Sequence, residues 1–406
     1  TYRYLGVQIG PRMEFVSVTE KIQKSLHSIS RAPLKPCQRL YILRTHLIPS
    51  LVHYLTFERI SLGSLTSADV EIRSFLRRWL RLPKDTPNAF FHTPVRLGGL
   101  GILQLRRWIP EIRIKRLTNV LQMAKKKNDI FMQDVLGSNT ASGGEIRKFG
   151  TNRTKNTPNV ALGLRTAEEL YKTVDGFGLR QFCRGIGPGE WLIDGVDRMP
   201  ADQYLKCVRV RATVLHNRLR SSRGKPLANT ICDAGCQTVE SLGHIIQNCP
   251  RTDGPRHTRH DSIVKMLSEA LIKKKGYSTV LEPRIPTVEG TKIPDICAWG
   301  KSHHIVCDVA VVADTADLDK MHLFKINKYN KPDIHHWMKA NDPTAGQTST
   351  KCVVTAFIVN WRGSISKESY SFWRRIGLPR GFFVWAVIKV LLGTHMIWKI
   401  FRSCTW

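Results

Sequence analysis

The amino-acid sequence predicts a multidomain protein that is mostly α-helical over residues 1–225 and then passes through a small metal-binding knuckle into an α/β domain. The chain has 406 residues, enough for about two to four domains with their own cores. A hydrophobic fraction of 42% is typical of folded protein. Helical spacing of apolar residues dominates the first half, a Cys/His cluster follows it, and strand-like apolar runs come near residue 300.

The net charge indicates which class of binding partner the chain has. Lys and Arg number 63 against 32 Asp and Glu, which gives a formal charge of +31. A soluble surface can be basic without a partner, but an excess of this size favours a polyanion, and nucleic acid over a membrane or an acidic protein. The apolar run over residues 381–393 is interrupted by Lys389, so we expect a buried terminal helix and no membrane span.

The N-terminal part is predicted to be helical after one short strand. Residues 1–10 predict that strand, and helical periodicity follows over residues 18–29 and 36–49, with a third helix opening near Thr66. The apolar side of the third helix is predicted to hold Val70, Phe75, Leu76, Trp79 and Leu80, and its arginines lie elsewhere, at Arg73, Arg77, Arg78 and Arg81. Such a helix could pack on its domain and lie along a phosphate backbone, and a solvated charged face is an equal alternative.

A turn-rich block follows at residues 87–102, with three glycines among residues 98–101. A glycine loop can cradle a phosphate, but no Lys-Ser/Thr follows this one and no G-x-G-x-x-G is present, so tight backbone packing is the better explanation. Residues 106–223 are predicted to be mostly helical and basic. Their Gly/Ser/Asn/Thr-rich break at residues 137–159 is the best linker candidate in the chain.

Four metal-binding side chains cluster in the middle of the chain, at Cys232, Cys236, His244 and Cys249. Their spacing, C-x3-C-x7-H-x4-C, gives two close pairs that tight turns can deliver to tetrahedral zinc, and four protein ligands make a closed, structural site. Three buried cysteines beside a surface histidine are the alternative, which the spacing disfavours. His257 and His260 could compete with His244, but they lie outside the second pair and are expected to contact phosphates.

Residues 293–312 are predicted to form a β-hairpin that turns at residues 300–302. If Lys301 and Ser302 form a two-residue loop, the numbers of facing residues sum to 603, and Asp295 and Asp308 stand opposite each other on one face. Like charges so placed destabilise a sheet unless a cation compensates them. A three-residue loop would put the two acids on opposite faces and remove this argument.

A pair of carboxylates on adjacent strands is what a catalytic magnesium site for phosphodiester hydrolysis needs, so Asp295 and Asp308 are the predicted magnesium ligands. Nucleases of the PD-(D/E)xK type place a lysine two residues after the second acid. This chain has Ala310 at that position. The lysine of such a centre must therefore come from another element.

A predicted helix over residues 317–331 offers that lysine. Lys325 shares a helical face with Tyr329 and is the first candidate for orienting water or offsetting charge on the phosphate, and Lys328 and Tyr329 are second choices. A solvated surface position is an equal alternative for any single lysine. Glu282, in a Val-Leu-Glu-Pro-Arg segment, is a candidate for one more acid of the same centre.

The order of these motifs resembles the C-terminal half of the reverse transcriptase–endonuclease protein of site-specific non-LTR retrotransposons, whose best-known members insert into ribosomal RNA genes. The matching segments are residues 4–7, residues 89–94 with the glycines of 98–101, the CCHC cluster followed by Arg259-His260-Asp261, Pro294-Asp295, Asp308-Val309, Lys325 and Tyr329. The resemblance covers essentially the whole chain. It is specific in the last third and softer over residues 110–225.

The resemblance implies four parts. They are the end of the polymerase palm with an α-helical thumb (1–104), a basic helical linker (105–225), a small CCHC zinc knuckle (226–262) and an α/β PD-(D/E)xK restriction-like endonuclease domain (263–406). It also implies magnesium-dependent nicking of target double-stranded DNA, whose free 3′-hydroxyl primes reverse transcription of the element RNA. The thumb and linker would hold RNA and DNA, and the knuckle would position or melt the target.

Other sequence features limit this interpretation. No adjacent Asp-Asp pair occurs, so the catalytic acids of a polymerase palm are missing and the chain is expected not to polymerise. A non-catalytic nucleic-acid-binding module from a decayed or domesticated element is the alternative function. Ten scattered cysteines, several in apolar runs, predict a reduced nuclear or cytosolic setting, and we expect the nucleus. The start at Thr1 leads us to expect a piece of a longer protein.

Overall fold

The structure is a computed structural model that describes residues 2–4, 7–9, 18–57, 60–127, 130, 158–225, 227–301, 303–343 and 351–403. The chain divides into two compact units, which are described separately. Unit 1 comprises residues 1–94 and 99–170, and unit 2 comprises residues 95–98 and 171–406. The linker candidate at residues 137–159 lies outside the described residues, except that a helix begins at Pro158.

Unit 1 opens with two short antiparallel strands, β1 (Tyr2–Tyr4) and β2 (Val7–Ile9), so the prediction of one strand was wrong. Tyr4 faces Val7 in this antiparallel pair, and each strand satisfies backbone groups of the other. The helices of this unit are α1 (Val18–Arg31), α2 (Pro36–Ile42), α3 (Ile48–Phe57), α4 (Leu62–Leu80), α5 (Asn88–His92), α6 (Leu105–Lys126) and α7 (Pro158–Tyr171). A π-helical turn at Leu43–Leu47 joins α2 to α3, so the helical chain runs past Pro49, where it was predicted to end.

Helix α4 differs from its prediction at both its start and its buried face. It begins at Leu62 because the hydroxyl of Ser61 caps it by accepting a hydrogen bond from the Ser64 backbone at 3.0 Å. Val70, predicted to be apolar core, is half exposed, whereas Arg73 is buried. The guanidinium of Arg73 donates to Nε2 of His92 at 3.1 Å. This arginine therefore serves the interior of the unit and does not face a phosphate backbone.

The glycine-rich block after α5 is tightly packed, as predicted. The backbone N–H groups of Leu100 and Ile102 donate to the carbonyl oxygens of Phe90 and Phe91, so this segment lies directly on α5. A Cβ atom on Gly99 would lie 2.3 Å from the carbonyl oxygen of Thr93. Only glycine fits such an approach of two backbone segments.

Unit 2 combines helices with one four-stranded sheet. Its helices are α8 (Gln181–Arg184), α9 (Gly195–Arg198), α10 (Ala201–Arg211), α11 (Arg218–Ser221), α12 (Leu242–Gln247), α13 (Asp253–Lys275), α14 (Leu318–Tyr329), α15 (Pro332–Ala340), α16 (Lys367–Arg375) and α17 (Arg380–Ser403). Its strands are β3 (Ser278–Leu281), β4 (Ile296–Trp299), β5 (His303–Val312) and β6 (Lys351–Asn360), in the order β3-β4-β5-β6. The three antiparallel strands β3, β4 and β5 are followed by β6, which pairs parallel to β5.

Helices cover both faces of this sheet. Even-numbered residues of β5 and β6, including Val306, Val312 and Ala356, pack with α14 and α15. On the opposite face Phe357 of β6 stacks on Phe383 of α17, with ring centroids 6.4 Å apart. The parallel β5–β6 pair needs a long crossover, which α14 and α15 provide. The prediction contained β4 and β5 but not the strands that flank them.

Helix α17 is the buried terminal helix that was predicted. By length and composition this helix could cross a membrane, contrary to the expectation from the sequence. However, 61% of its most apolar window is buried within the protein. Phe383, Val387 and Leu391 are completely covered, as expected for a core helix.

Candidate metal centres

The Cys/His cluster forms one compact group. The ligand atoms of Cys232, Cys236, His244 and Cys249 all lie within 4.8 Å of one another. The Sγ–Sγ distances are 3.7 Å for Cys236–Cys249, 3.8 Å for Cys232–Cys236 and 4.0 Å for Cys232–Cys249. Thiolates at about 2.3 Å from a tetrahedral zinc ion are about 3.8 Å apart, so these spacings suit zinc.

Short local elements deliver the four ligands. Gly235 adopts a φ of +79° in the turn between Cys232 and Cys236, a left-handed conformation that glycine adopts without strain. His244 lies in the first turn of α12, which Ser241 caps by accepting from the His244 backbone N–H. Burial and the neighbouring Cys236 thiol raise the pKa values of Cys232 and Cys249. A bound cation would be needed to hold these sulphurs as thiolates, which matches the chemistry of a Cys3His metal site.

The hairpin of β4 and β5 has the predicted register. Ile296 faces Cys307 and Ala298 faces Ile305, so the residue numbers of partners sum to 603. Strand β4 begins at Ile296, and Asp295 immediately precedes it. Continued by one residue, this register brings Asp295 opposite Asp308. Oδ2 of Asp295 accepts a hydrogen bond at 2.6 Å from the backbone N–H of Val309, the residue after Asp308.

Asp308 is a buried carboxylate with a lysine partner. It is 4% exposed and lies in the middle of the hydrophobic strand β5. Nζ of Lys325, from α14, lies 2.7 Å from its Oδ2. Thus the structure brings together Asp295, Asp308 and Lys325, which the sequence places on three separate elements.

The remaining candidates take different positions. Tyr329 is buried, and its hydroxyl donates to the carbonyl oxygen of Ile293 at 2.8 Å. Burial, followed by the negative charge of Asp308, raises the pKa of Tyr329, so it stays neutral. Lys328 is exposed, and its amine lies 4.7 Å from the Tyr329 ring centroid. Glu282 is exposed with a φ of +48°, and its backbone N–H, rather than its carboxylate, reaches the Asp295 carbonyl oxygen.

His260 is the site residue that the sequence reasoning placed elsewhere. Instead of facing outward to a phosphate, it lies on α13 with Nε2 at 3.3 Å from Oδ2 of Asp295 and 3.1 Å from the Val309 carbonyl oxygen. Nδ1 lies 3.1 Å from Oδ1 of Asp261. Burial alone would lower the pKa of His260, but its hydrogen bond to Asp295 and the charge of that carboxylate raise it to about 9. The only signal in the sequence was its place in Arg259-His260-Asp261.

The two centres differ in what they could bind. The Cys3His group offers sulphur and nitrogen ligands, as structural zinc requires. The acidic pair offers only oxygen ligands close to a lysine, which suits a hard cation such as Mg²⁺ and an anionic substrate. Within the described part of the chain, both hydrogen bonds to the Asp295 carboxylate reach Oδ2. Oδ1 is therefore the oxygen available to a cation.

Curated proteins similar to this chain come from retrotransposable elements. The chain is 33% identical over 370 residues to the retrovirus-related Pol polyprotein from type-2 retrotransposable element R2DM of Drosophila melanogaster, a match that covers 91% of this chain and 34% of that protein. It is 31% identical over 411 residues to the retrovirus-related Pol polyprotein from type-1 retrotransposable element R2 of Nasonia vitripennis, across 100% of this chain and 38% of that protein.

A third relative, the Pol polyprotein from a type-1 retrotransposable element R2 of Popillia japonica, is 35% identical over 296 residues, which are 71% of this chain and 62% of that protein. No protein-family model matches the sequence. The chain spans roughly a third of the length of the first two relatives, at 34% and 38%.

Proposed function

This chain belongs to the family of R2-type non-LTR retrotransposon Pol polyproteins, and from that premise we propose that it is a magnesium-dependent DNA endonuclease. It would nick one strand of target double-stranded DNA, leaving a 3′-hydroxyl that primes reverse transcription of the element RNA. The chain itself lacks an adjacent Asp-Asp pair, so the polymerase reaction would belong to another part of the polyprotein. Its site of action would be the nucleus.

The observation that carries this proposal is the convergence of Asp295, Asp308 and Lys325. Two acids and a lysine are the functional groups of the PD-(D/E)xK nucleases, and here the lysine comes from α14 because Ala310 occupies its usual place. Nearly complete burial of an acid such as Asp308 is costly without a cation. The free Oδ1 of Asp295 completes an oxygen-ligand set that fits Mg²⁺.

The side chains of the centre have distinct proposed tasks. Asp295 and Asp308 would hold Mg²⁺. When bound, this ion would offset negative charge on the scissile phosphate and lower the pKa of a bound water molecule. Lys325 neutralises Asp308 before the cation arrives and could then donate hydrogen bonds to a phosphate oxygen or orient a water molecule. Tyr329 keeps its proton and fixes the loop of Ile293 that leads into Asp295.

The rest of the chain would hold nucleic acid. The Cys3His group is proposed as a zinc knuckle that orders a segment too small to build its own core. The exposed lysines of α14, Lys320 and Lys328, lie on the same helix as Lys325 and could bind phosphates on either side of the cut. The four-part division at residues 104, 225 and 262, with a thumb and linker for RNA and DNA, is the proposed domain plan.

The test is magnesium-dependent nicking of supercoiled DNA. Replacing Asp308 with Asn should lower the nicking rate at least about hundredfold, because it removes a ligand charge from the centre. Asp202→Asn is the matched control, since Asp202 is an exposed acid of α10 whose ion pair, within the described residues, is with Lys206 on the same helix. Equal nicking by the parent and Asp308→Asn would contradict the proposal. Binding of DNA without any nicking by the parent would favour the non-catalytic module instead.

A further inference from the structure

Helix α13 connects the Cys3His cluster to the acidic pair. It begins at Asp253, four residues after the last cysteine ligand, and its second turn carries Arg259 and His260. We propose that His260 is a positioning residue through which the metal-loaded Cys3His cluster sets the orientation of Asp295. This inference rests on the proposed endonuclease function, and it assigns the knuckle a task inside the nuclease centre in addition to any contact with nucleic acid.

The carboxylate of Asp295 is held from two sides. Its Oδ2 accepts from the Val309 backbone at 2.6 Å and lies 3.3 Å from Nε2 of His260. His260 in turn lies 3.1 Å from the Val309 carbonyl oxygen, so it spans Asp295 and strand β5. With Oδ2 fixed by two donors, Oδ1 is oriented as the oxygen that faces a cation. Donors of this kind behind a metal ligand commonly determine its metal affinity.

The imidazole itself is fixed from behind. Nδ1 of His260 lies 3.1 Å from Oδ1 of Asp261, the next residue of α13. Both ring nitrogens therefore face acceptors, and the side chain is three-quarters buried, at 26% exposure. A ring held at both nitrogens cannot rotate without losing a contact. The position of His260 thus follows the position of α13.

The position of α13 is in turn tied to the cluster. Nη1 of Arg256 donates at 2.7 Å to the carbonyl oxygen of Cys249, a cluster ligand. Nη2 of Arg259 donates at 2.7 Å to Oε1 of Gln247 on α12, the helix that carries His244. Arg259 and His260 are consecutive residues of α13, yet they contact different centres. Arg259 contacts α12, which carries the cluster ligand His244, and His260 contacts Asp295.

A second connection reaches the strand of the other acid. The amide nitrogen of Gln247 donates at 3.1 Å to the carbonyl oxygen of Val311, three residues after Asp308 on β5. Gln247 thereby joins α12, α13 and β5 through one side chain. Loss of the metal from the cluster would release α12 and weaken the support of both acids. Affinity of the acidic pair for its cation should fall as a result.

The test measures Mn²⁺ binding to the zinc-loaded full chain, with the electron paramagnetic resonance signal of free Mn²⁺ as the readout. His260→Ala should weaken Mn²⁺ binding by about tenfold, and His260→Gln, which keeps a donor, should recover part of the loss. His257→Ala is the matched control, because His257 is exposed on the same helix and, among the residues that the structure describes, has Asp253 as its acidic neighbour. Removal of zinc by Cys236→Ser should give a similar loss. The double variant with His260→Ala should lose little more, because both changes break one connection.

Distinct results separate this inference from the proposed function. Unchanged Mn²⁺ affinity in His260→Ala, or losses from His260→Ala and Cys236→Ser that add fully, would overturn the inference. If Asp308→Asn also left Mn²⁺ affinity unchanged, the nuclease centre itself would be rejected. A fall in Asp308→Asn without a fall in His260→Ala would reject only the role of His260. Thermal melting of each variant identifies losses that come from unfolding.

Discussion

Each unit of the molecule buries an aspartate among charged side chains, and the two acids differ in what remains available for binding. In unit 1, Asp69 is 1% exposed, and its Oδ1 and Oδ2 accept from the backbone N–H groups of Leu105 and Arg106 at 2.8 and 3.0 Å. These are the first N–H groups of α6, which have no partner within their own helix. Asp69 therefore caps a helix from a distant position.

The acids of unit 2 are satisfied only in part. Among the described residues, Asp295 accepts both of its hydrogen bonds through Oδ2, and Asp308 pairs with the amine of Lys325, which is proposed to act on the substrate. Burial raises the pKa of Asp69 to about 6, so a shifted pKa and low exposure occur in a structural acid as well. The feature that marks a site is the unused oxygen beside a second acid. Three changes sharpen this comparison.

The largest effect is expected on the nicking rate of the Lys325→Ala variant. Loss of the amine removes the cation that pairs with Asp308, and the nicking rate should fall about hundredfold to thousandfold even at saturating Mg²⁺. Lys339→Ala, at an exposed position of α15, is the control and should nick at nearly the parent rate. Nicking kinetics at saturating Mg²⁺ measure both. An equal rate for Lys325→Ala would place the candidate lysine elsewhere, with Lys328 next in order.

A smaller effect, on the pH dependence of the free energy of unfolding, is expected from the titration of His92 in unit 1. Burial lowers the pKa of His92 to about 4, below the unfolded value of about 6.5, so the folded state prefers the neutral ring. Stability supplied by neutral His92 is present above pH 6.5 and is lost as pH falls toward 4. Relative to His92→Gln, the parent should lose up to about 3 kcal/mol across this window.

Denaturant unfolding of both proteins at several pH values measures that difference. Asp69 acts in the opposite direction, because its raised pKa favours the folded state as pH falls, but it is present in both proteins and cancels in the comparison. Parallel stability curves for the parent and His92→Gln would contradict the assignment of His92 as a buried neutral group.

The smallest effect is expected from Asp69→Asn. The amide can accept one of the two backbone hydrogen bonds, and its NH2 group faces the other donor, so unfolding should become easier by about 1–2 kcal/mol at pH 7. Nicking per folded molecule should not change. Denaturant unfolding and nicking assays on the same sample test both statements. A large loss of nicking at unchanged stability would mean that Asp69 serves the reaction.

The centres also differ in how far the sequence predicted them. The Cys3His group was predicted completely because its four ligands lie within 18 residues, and short-range turns determine its geometry. The hairpin register was also predicted, since a two-residue loop fixes which residues face each other. The Asp295–His260 contact joins residues 35 positions apart through the packing of α13 on the sheet. No local pattern encodes such a contact.

Errors in the fold prediction have similar causes. The start of α4 was placed four residues late, although Ser61 carried a recognisable cap signal. The burial of Arg73 could not be seen, because its hydrogen-bond partner His92 comes from another helix, α5. The partners of β6 could not be assigned from sequence, since a parallel strand pairs across a crossover of more than thirty residues. Local sequence signals predicted individual helices and strands. The burial of Arg73 and the pairing of β6 depend on packing between elements that are distant in sequence.

The most direct test of the central claim locates the cation itself. Fe²⁺ replaces Mg²⁺ in the zinc-loaded chain, and ascorbate with peroxide then generates hydroxyl radicals that cut the polypeptide near the bound iron. Mass spectrometry should find cuts close to Asp295 and Asp308, suppressed by excess Mg²⁺, lost in Asp308→Asn and retained in Asp69→Asn. Cuts that persist unchanged in Asp308→Asn, or that centre on Asp69, would contradict the assignment of the acidic pair as the metal centre.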